Sequence, residues 1–331
     1  MTMTTFAPIC LFTYNRLDET KMTIEALKQN YLASESPLYV FSDGWKKEED
    51  KAKILQIRDY LATVDGFKNM HIINSDKNNG LAESIIKGVS DVLKKHDRVI
   101  VLEDDLLTTP NFLDFMNQAL AYYEGQSIVQ SISGYSLAIK SKPKDGDVYL
   151  HRRAYSWGWA TWANRWDIRI FDKAKIREEI ENDPELLSGF KKTCGNDMDG
   201  MLLDSLNGKN DSWYVRWSLD HYKHERLSVY PVYSKVSNIG FSDEGTHCKA
   251  VNVFVGELDT SHSRQFTFSP PHQTPQINRE VLTYFTYPYK LKFRLKMIKT
   301  ASGRKELYKD IRYKIQKYSA LAKEKFGNKT A

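Results

Sequence analysis

Four short aliphatic runs, separated by segments of helical pattern, occupy the first 105 residues, and this alternation constrains the fold more than any other feature of the chain. The runs fall at 7–12, 38–41, 71–73 and 99–102, with helices expected over 19–29, 49–63 and 80–95. Strands that alternate with helices pair in parallel, because each crossover helix returns the chain to the same edge and covers a face of the sheet. An α/β fold with a mostly parallel sheet follows. In such sheets ligands bind beyond the carboxyl ends of the strands, where strand order reverses. Three of the four runs end there in polar clusters: Thr13-Tyr14-Asn15-Arg16, Ser42-Asp43-Gly44 and Glu103-Asp104-Asp105.

The acid triplet is the sharpest chemical signal. Adjacent carboxylates after a buried-type strand suit a hard divalent cation, Mn²⁺ or Mg²⁺, which prefers oxygen ligands and bridges to a diphosphate. The alternative is an acidic turn that caps the next segment. Arg16 can meet phosphate oxygens in a bidentate fork, and Asp43 can accept from a base or ribose, although either residue also suits a solvated turn. Asn79 and Gly80 open the helix before the triplet. There the glycine lets backbone approach a ligand, or Asn78 or Asn79 caps the helix.

The second half is irregular and aromatic-rich, with a helix expected over 111–123, then Ser131 to Tyr135 and a block from Tyr155 to Trp166. Spacings of 3 and 4 between Trp159, Trp162 and Trp166 predict helical core packing. Trp157 and Trp213, beside small or polar residues, are candidates for stacking on a sugar face, with core packing as the alternative. His247, in a Gly-Thr-His turn, reads as structural or as a second metal or phosphate ligand.

Taken in order, these motifs resemble the N-acetylglucosaminyltransferases that begin complex N-glycans, and bacterial sugar transferases related to them. The resemblance runs from about residue 7 to 250, through Arg16, Ser42-Asp43, Glu103-Asp104-Asp105, Ser156-Trp157-Gly158-Trp159-Ala160-Thr161-Trp162, Asp211-Ser212-Trp213, Gly240-Phe241 and Gly245-Thr246-His247. It implies a GT-A, Rossmann-like fold and an inverting, metal-dependent transfer from a nucleotide-sugar, UDP-linked, to a glycan or lipid-linked saccharide in surface polysaccharide synthesis. Asp105 would be the metal ligand, and Glu103 and Asp104 would serve sugar and ribose. Arg16 would touch the diphosphate and Asp43 the uracil, while Trp157, Gly158 and Trp213, in the family's Gly-Trp and Asp-Trp segments, would join the nucleotide-sugar site. Asp211 would be the base. The family pairs two acids there, whereas here Ser212 follows Asp211, so Asp220 is the fallback.

Three regions are expected: a nucleotide-sugar half over 1–106, an acceptor and catalytic half over 107–285, and a basic helical tail over 286–331. From Lys290 onward there are 14 basic and 3 acidic residues, against 34 basic and 39 acidic before it. Leu307, Ile311, Ile315, Tyr318 and Leu321 form one apolar stripe in that tail. It packs on the body or lies on an anionic membrane surface. Three dispersed cysteines argue against a disulfide framework, and no apolar run or leader is long enough for a membrane span or signal, so a cytoplasmic protein is expected. An acidic body without an RNA-binding motif argues against nucleic acid. The competing readings are a sugar nucleotidyltransferase, disfavoured because residues 8–16 contain no glycine, and a non-catalytic carbohydrate-binding protein.

Overall fold

The computed structural model describes residues 6–144, 146–240, 254, 256–301, 303–305, 307, 308, 311, 312 and 315. Its first half is the expected alternation: β1 (Ile9–Thr13), α1 (Leu17–Lys28), β2 (Pro37–Ser42), α2 (Glu48–Leu61), β3 (Asn69–Asn74), α3 (Leu81–Leu93) and β4 (Arg98–Glu103). These strands pair in parallel in the order β3, β2, β1, β4. Successive side chains of a strand point to opposite faces, which explains the unbroken aliphatic run of β4. Ile100 and Leu102 enter one core with Ile9 and Leu11, while Val99 and Val101 enter a second core with Cys10 and Phe12.

The sheet continues through the second half. After β5 (Leu106–Thr108) and α4 (Phe112–Tyr123) come β6 (Val129–Ser133), β7 (Val148–His151) and β8 (Trp159–Trp162). Four helices follow: α5 (Lys173–Asn182), α6 (Leu186–Cys194), α7 (Met198–Leu206) and α8 (Tyr214–Lys223). The remaining elements are β9 (Leu227–Pro231), β10 (Val236–Asn238), α9 (Pro275–Thr283) and α10 (Tyr287–Met297). The eight-stranded order is β3-β2-β1-β4-β8-β6-β9-β7, with β8 and β7 running against the rest. The result is a mixed α/β architecture with a mostly parallel sheet flanked by helices, the class expected from the sequence. Separately, β5 pairs antiparallel with β10.

One expectation fails here. Trp159 and Trp162 belong to a strand and not a helix, so a spacing of three puts them on opposite faces. Trp159 joins the core behind α3 and Trp162 the other one. Burial made both readings look alike, because apolar residues three apart are compatible with either element in a short window.

A buried ion pair fixes β10. Lys235, immediately before it, bonds Asp259, and both side chains are only 4% exposed. Asn111 and the Ser261 amide donate to the same carboxylate at 2.9 and 2.8 Å. No helix among the described residues is long and apolar enough to cross a membrane.

Candidate active site

The turn after β4 puts Asp104 and Asp105 at the carboxyl edge of the sheet, opposite Arg16, which lies three residues past β1. Arg16 bridges both acids: Nη2 donates to Asp104 Oδ1, and Nη1 donates to Asp105 Oδ2 at 3.1 Å. The three side chains are 12%, 4% and 13% exposed. Asp104 also accepts from the Tyr14 amide at 3.2 Å, and its carbonyl accepts from Thr23 Oγ1 at 2.9 Å. These bonds make Asp104 the tie between the β1 and β4 turns. Asp105 is less committed, since beyond Arg16 its carboxylate has Asn238 Nδ2 at 3.5 Å, long for a hydrogen bond.

Two carboxyls share one guanidinium and Glu103 stands beside them, and the proton affinities of Glu103 and Asp104 show the crowding. Burial, then Asp105 and Asp104, push Glu103 up to about 8. Burial pushes Asp104 up to about 6 against the pull of Arg16. Burial also works against the charge of Arg16, but Asp104 and then Asp105 hold it firmly cationic. A site with surplus negative charge and hard oxygen donors favours an additional cation. Among the described residues no group of three or more His, Cys, Asp or Glu is arranged around a metal position. Asp105 is the least committed hard oxygen donor here, and a cation held there would need further oxygen ligands from outside the protein.

Asp43 follows β2 at the same edge, but its carboxylate is occupied. It accepts from the Gly44 amide at 2.9 Å, Asn78 Nδ2 at 3.0 Å, the Asn79 amide at 3.0 Å, Asn79 Nδ2 at 3.1 Å and the Gly80 amide at 3.1 Å. A carboxylate offers about four lone-pair sites. The structure thus uses Asp43 to fold residues 78–80 into the start of α3, where the sequence reading placed it on uracil. Asn79 and Gly80 reach the edge through it.

Asp211 arrives at the edge from the loop before α8. Its Oδ2 accepts from the Ala82 amide at 3.0 Å, which caps the first turn of α3. Asp220 does not come to this edge. It is bound by Gln130 Nε2 at 2.7 Å, and Gln130 lies near the start of β6, at the amino edge of the sheet. Beside it, a cavity of about 340 Å³ is far from the acids, and its own carboxylates are paired, Asp220 with His224, Glu179 with Lys223 and Asp167 with Arg169.

The tryptophan candidates separate. Trp213 is 2% exposed, with its ring 5.0 Å from Trp159 and 5.7 Å from Trp217, so it is core and has no face for a sugar. Trp157 is half-buried and meets Tyr135 edge-on at 4.6 Å. Gly158 contributes through close packing, since a Cβ there would sit 2.9 Å from Val236 and 3.3 Å from Leu102, just behind Glu103. His247 lies outside the described residues.

Two further residues complete the corner, Asp50, absent from the sequence reading, and Gly240, given no role there. Asp50 accepts from Tyr14 Oη at 2.9 Å and Asn15 Nδ2 at 2.8 Å, bracing the turn that carries Arg16. Gly240 covers Asp105 so tightly that a Cβ would stand 2.1 Å from its Oδ2 and 3.0 Å from Arg16 Nη1. Its place in the Gly-Phe motif was visible in the sequence, but nothing there paired it with an acid 135 residues earlier.

No protein family and no curated protein matches the sequence. Among solved structures the chain is similar to the mannosyltransferase PcManGT from Pyrobaculum calidifontis in complex with GDP-Man and Mn²⁺, at 8% identity over 48% of this chain and 45% of that one, TM-score 0.32. It is also similar to S. aureus TarS, at 14% identity over 42% and 24% of the two chains, TM-score 0.29. An active-site mutant of LgtC gives 12% identity over 52% and 64%, TM-score 0.33. The chain spans less than half the length of the first two. These likenesses are partial, and the reading of the site rests on its own geometry.

Proposed function

We propose that this chain is an inverting GT-A glycosyltransferase that moves a sugar from a UDP-linked donor to a hydroxyl of a glycan or lipid-linked saccharide. The observation that carries the reading is the Arg16–Asp104–Asp105 corner at the carboxyl edge of a parallel sheet, joined there by the 78–80 loop and Asp211. Asp105 would hold Mn²⁺ or Mg²⁺, and when bound the ion neutralises charge developing on the departing diphosphate. Arg16 forks onto the diphosphate oxygens. The acceptor oxygen forms its bond to the anomeric carbon as the carbon–phosphate oxygen bond breaks. Its proton passes to Asp211 Oδ1, because Oδ2 is engaged by Ala82.

Incubation with a panel of UDP-, GDP-, CMP- and TDP-sugars, with Mn²⁺ or EDTA, tests the class. Release of nucleoside diphosphate from one donor supports it, consumption of added pyrophosphate to give nucleoside triphosphate and sugar 1-phosphate would indicate a nucleotidyltransferase, and no nucleotide binding would overturn both. Asp211→Asn keeps an oxygen for Ala82 but loses the base. It is expected to lower kcat by about 10²–10⁴ with UDP affinity unchanged. Retention of full kcat would remove Asp211 from the mechanism.

An anionic membrane surface is proposed as the second partner. On α10 and just past it, Tyr287, Leu291, Leu295 and Ile298 are 84%, 60%, 55% and 47% exposed at helical spacing. Lys290, Lys292, Arg294, Lys296 and Lys299 flank them, and residues 286–300 contain no acid. Further on, Ile311 and Ile315 are also exposed, while Tyr318 and Leu321 lie outside the described residues. The helix is rooted by Tyr289 against Tyr284 at 4.5 Å. The chain is expected to co-sediment with phosphatidylglycerol vesicles and not with phosphatidylcholine, and to dissociate in high salt. Leu291→Glu with Leu295→Glu should weaken binding tenfold or more, since each buried leucine contributes about 1.5–3 kcal/mol. Binding to neither vesicle type would remove the membrane role, and equal binding to both would remove its dependence on anionic charge.

A further inference from the structure

We infer that Arg16 is a counter-ion latch, holding Asp105 in a closed pair with itself and yielding it to a divalent cation only when a diphosphate arrives to take the guanidinium. The inference rests on the proposed donor chemistry and adds to it a binding order set by this chain's own residues.

The geometry separates the two acids. If Arg16 turns away, Asp104 keeps the Tyr14 amide and remains tied to the sheet. Asp105 keeps only Asn238 at 3.5 Å, so Asp105 is the carboxylate that opens. Until then Nη1 occupies Oδ2, the same oxygen that Gly240 covers, and bars it to a cation.

Charge explains why one ligand alone is opposed. A divalent cation arriving alone meets a buried guanidinium of like sign at the carboxylate it needs. A diphosphate arriving alone draws Arg16 off and then faces desolvated carboxylates with no counter-charge. When both arrive, the guanidinium moves to phosphate, the cation takes Asp105, and Asp104 keeps the Tyr14 amide. Coupling of this kind is reciprocal, so each ligand tightens the other by the same factor.

Direct coordination of the cation by the diphosphate would also couple the two ligands, so the decisive measurement omits nucleotide. Mn²⁺ binding to the full chain is titrated by the loss of the free-ion paramagnetic resonance signal, with melting curves to show that each variant is folded. A neighbouring charge changes the affinity of a carboxylate for a cation by about tenfold or more, judged from its effect on protons. Arg16→Met should therefore bind Mn²⁺ alone about tenfold more tightly than wild type while losing affinity for UDP. Arg16→Lys, a point charge that cannot fork onto both acids, should shift in the same direction by less, and it decides the matter if Arg16→Met does not fold.

If Arg16 only binds phosphate, neither variant changes the affinity for Mn²⁺ alone, and that result overturns the latch even if UDP and Mn²⁺ bind the wild type together. If the variants bind Mn²⁺ more tightly but no nucleotide binds any form, Arg16 holds Asp105 closed against a cation, and the release by a diphosphate falls together with the donor reading.

Discussion

Asp105→Asn is expected to reduce kcat/KM for sugar transfer by about a thousandfold, with the fold intact. The substitution keeps the shape and removes the one carboxylate charge that the corner can lend to a cation. Arg16 still has Asp104, and the turn still has its bonds to Thr23 and Tyr14. Stabilising the leaving diphosphate through a metal is worth several kcal/mol, and about 4 kcal/mol corresponds to about three powers of ten. The same variant should lose the rise in melting temperature that Mn²⁺ with UDP produces in the wild type, because a ligand that no longer binds the native state no longer stabilises it. Activity within tenfold of wild type would place the cation on other residues.

The largest effect on stability is expected at Lys235. Truncation to alanine leaves Asp259 4% exposed without its cation, and breaking a buried pair from one side costs about 3–5 kcal/mol. In the native protein burial would raise Asp259, but Lys235 and then the Ser261 amide pull it down to about 2. A carboxyl held below its unfolded value of about 3.9 contributes stability above that pH, and the contribution disappears as pH falls toward 2. In Lys235→Ala the pull is gone and desolvation remains, so the variant should be least stable relative to wild type near neutrality, and the gap should narrow in acid. Urea unfolding at pH 7 and pH 4 measures both, and a loss below about 1 kcal/mol at pH 7 would show that the pair contributes little. Because Lys235 adjoins β10, and β10 carries Asn238 and Gly240 to Asp105, partial loosening should also lower Mn²⁺–UDP affinity in a variant that still folds.

Much of the first half was legible because its rules are local. Period-two burial on both faces, helices of ordinary length and polar strand ends are properties of neighbours in sequence, so β1, β2, β4 and the acid triplet could be placed directly. The tryptophans were not legible in that way. Trp213 and Trp157 both stand beside small or polar residues, yet one is sealed against Trp159 and Trp217 and the other is half open. Their difference comes from α8 packing against β8, a contact between segments some fifty residues apart. Asp211 and Asp220 look equivalent along the chain, but α8 separates them, one facing α3 at the carboxyl edge and the other facing Gln130 at the amino edge.

Sequence alone thus determined an α/β sheet and the residue types at its carboxyl edge, since strand pattern and turn chemistry are encoded within a few residues. Tertiary structure decided what each of those residues does. Asp43 became a loop organiser, Asp104 a tie, Asp105 the less committed carboxylate and Gly240 its cover, because hydrogen-bond capacity and desolvation depend on which distant groups arrive at the same place.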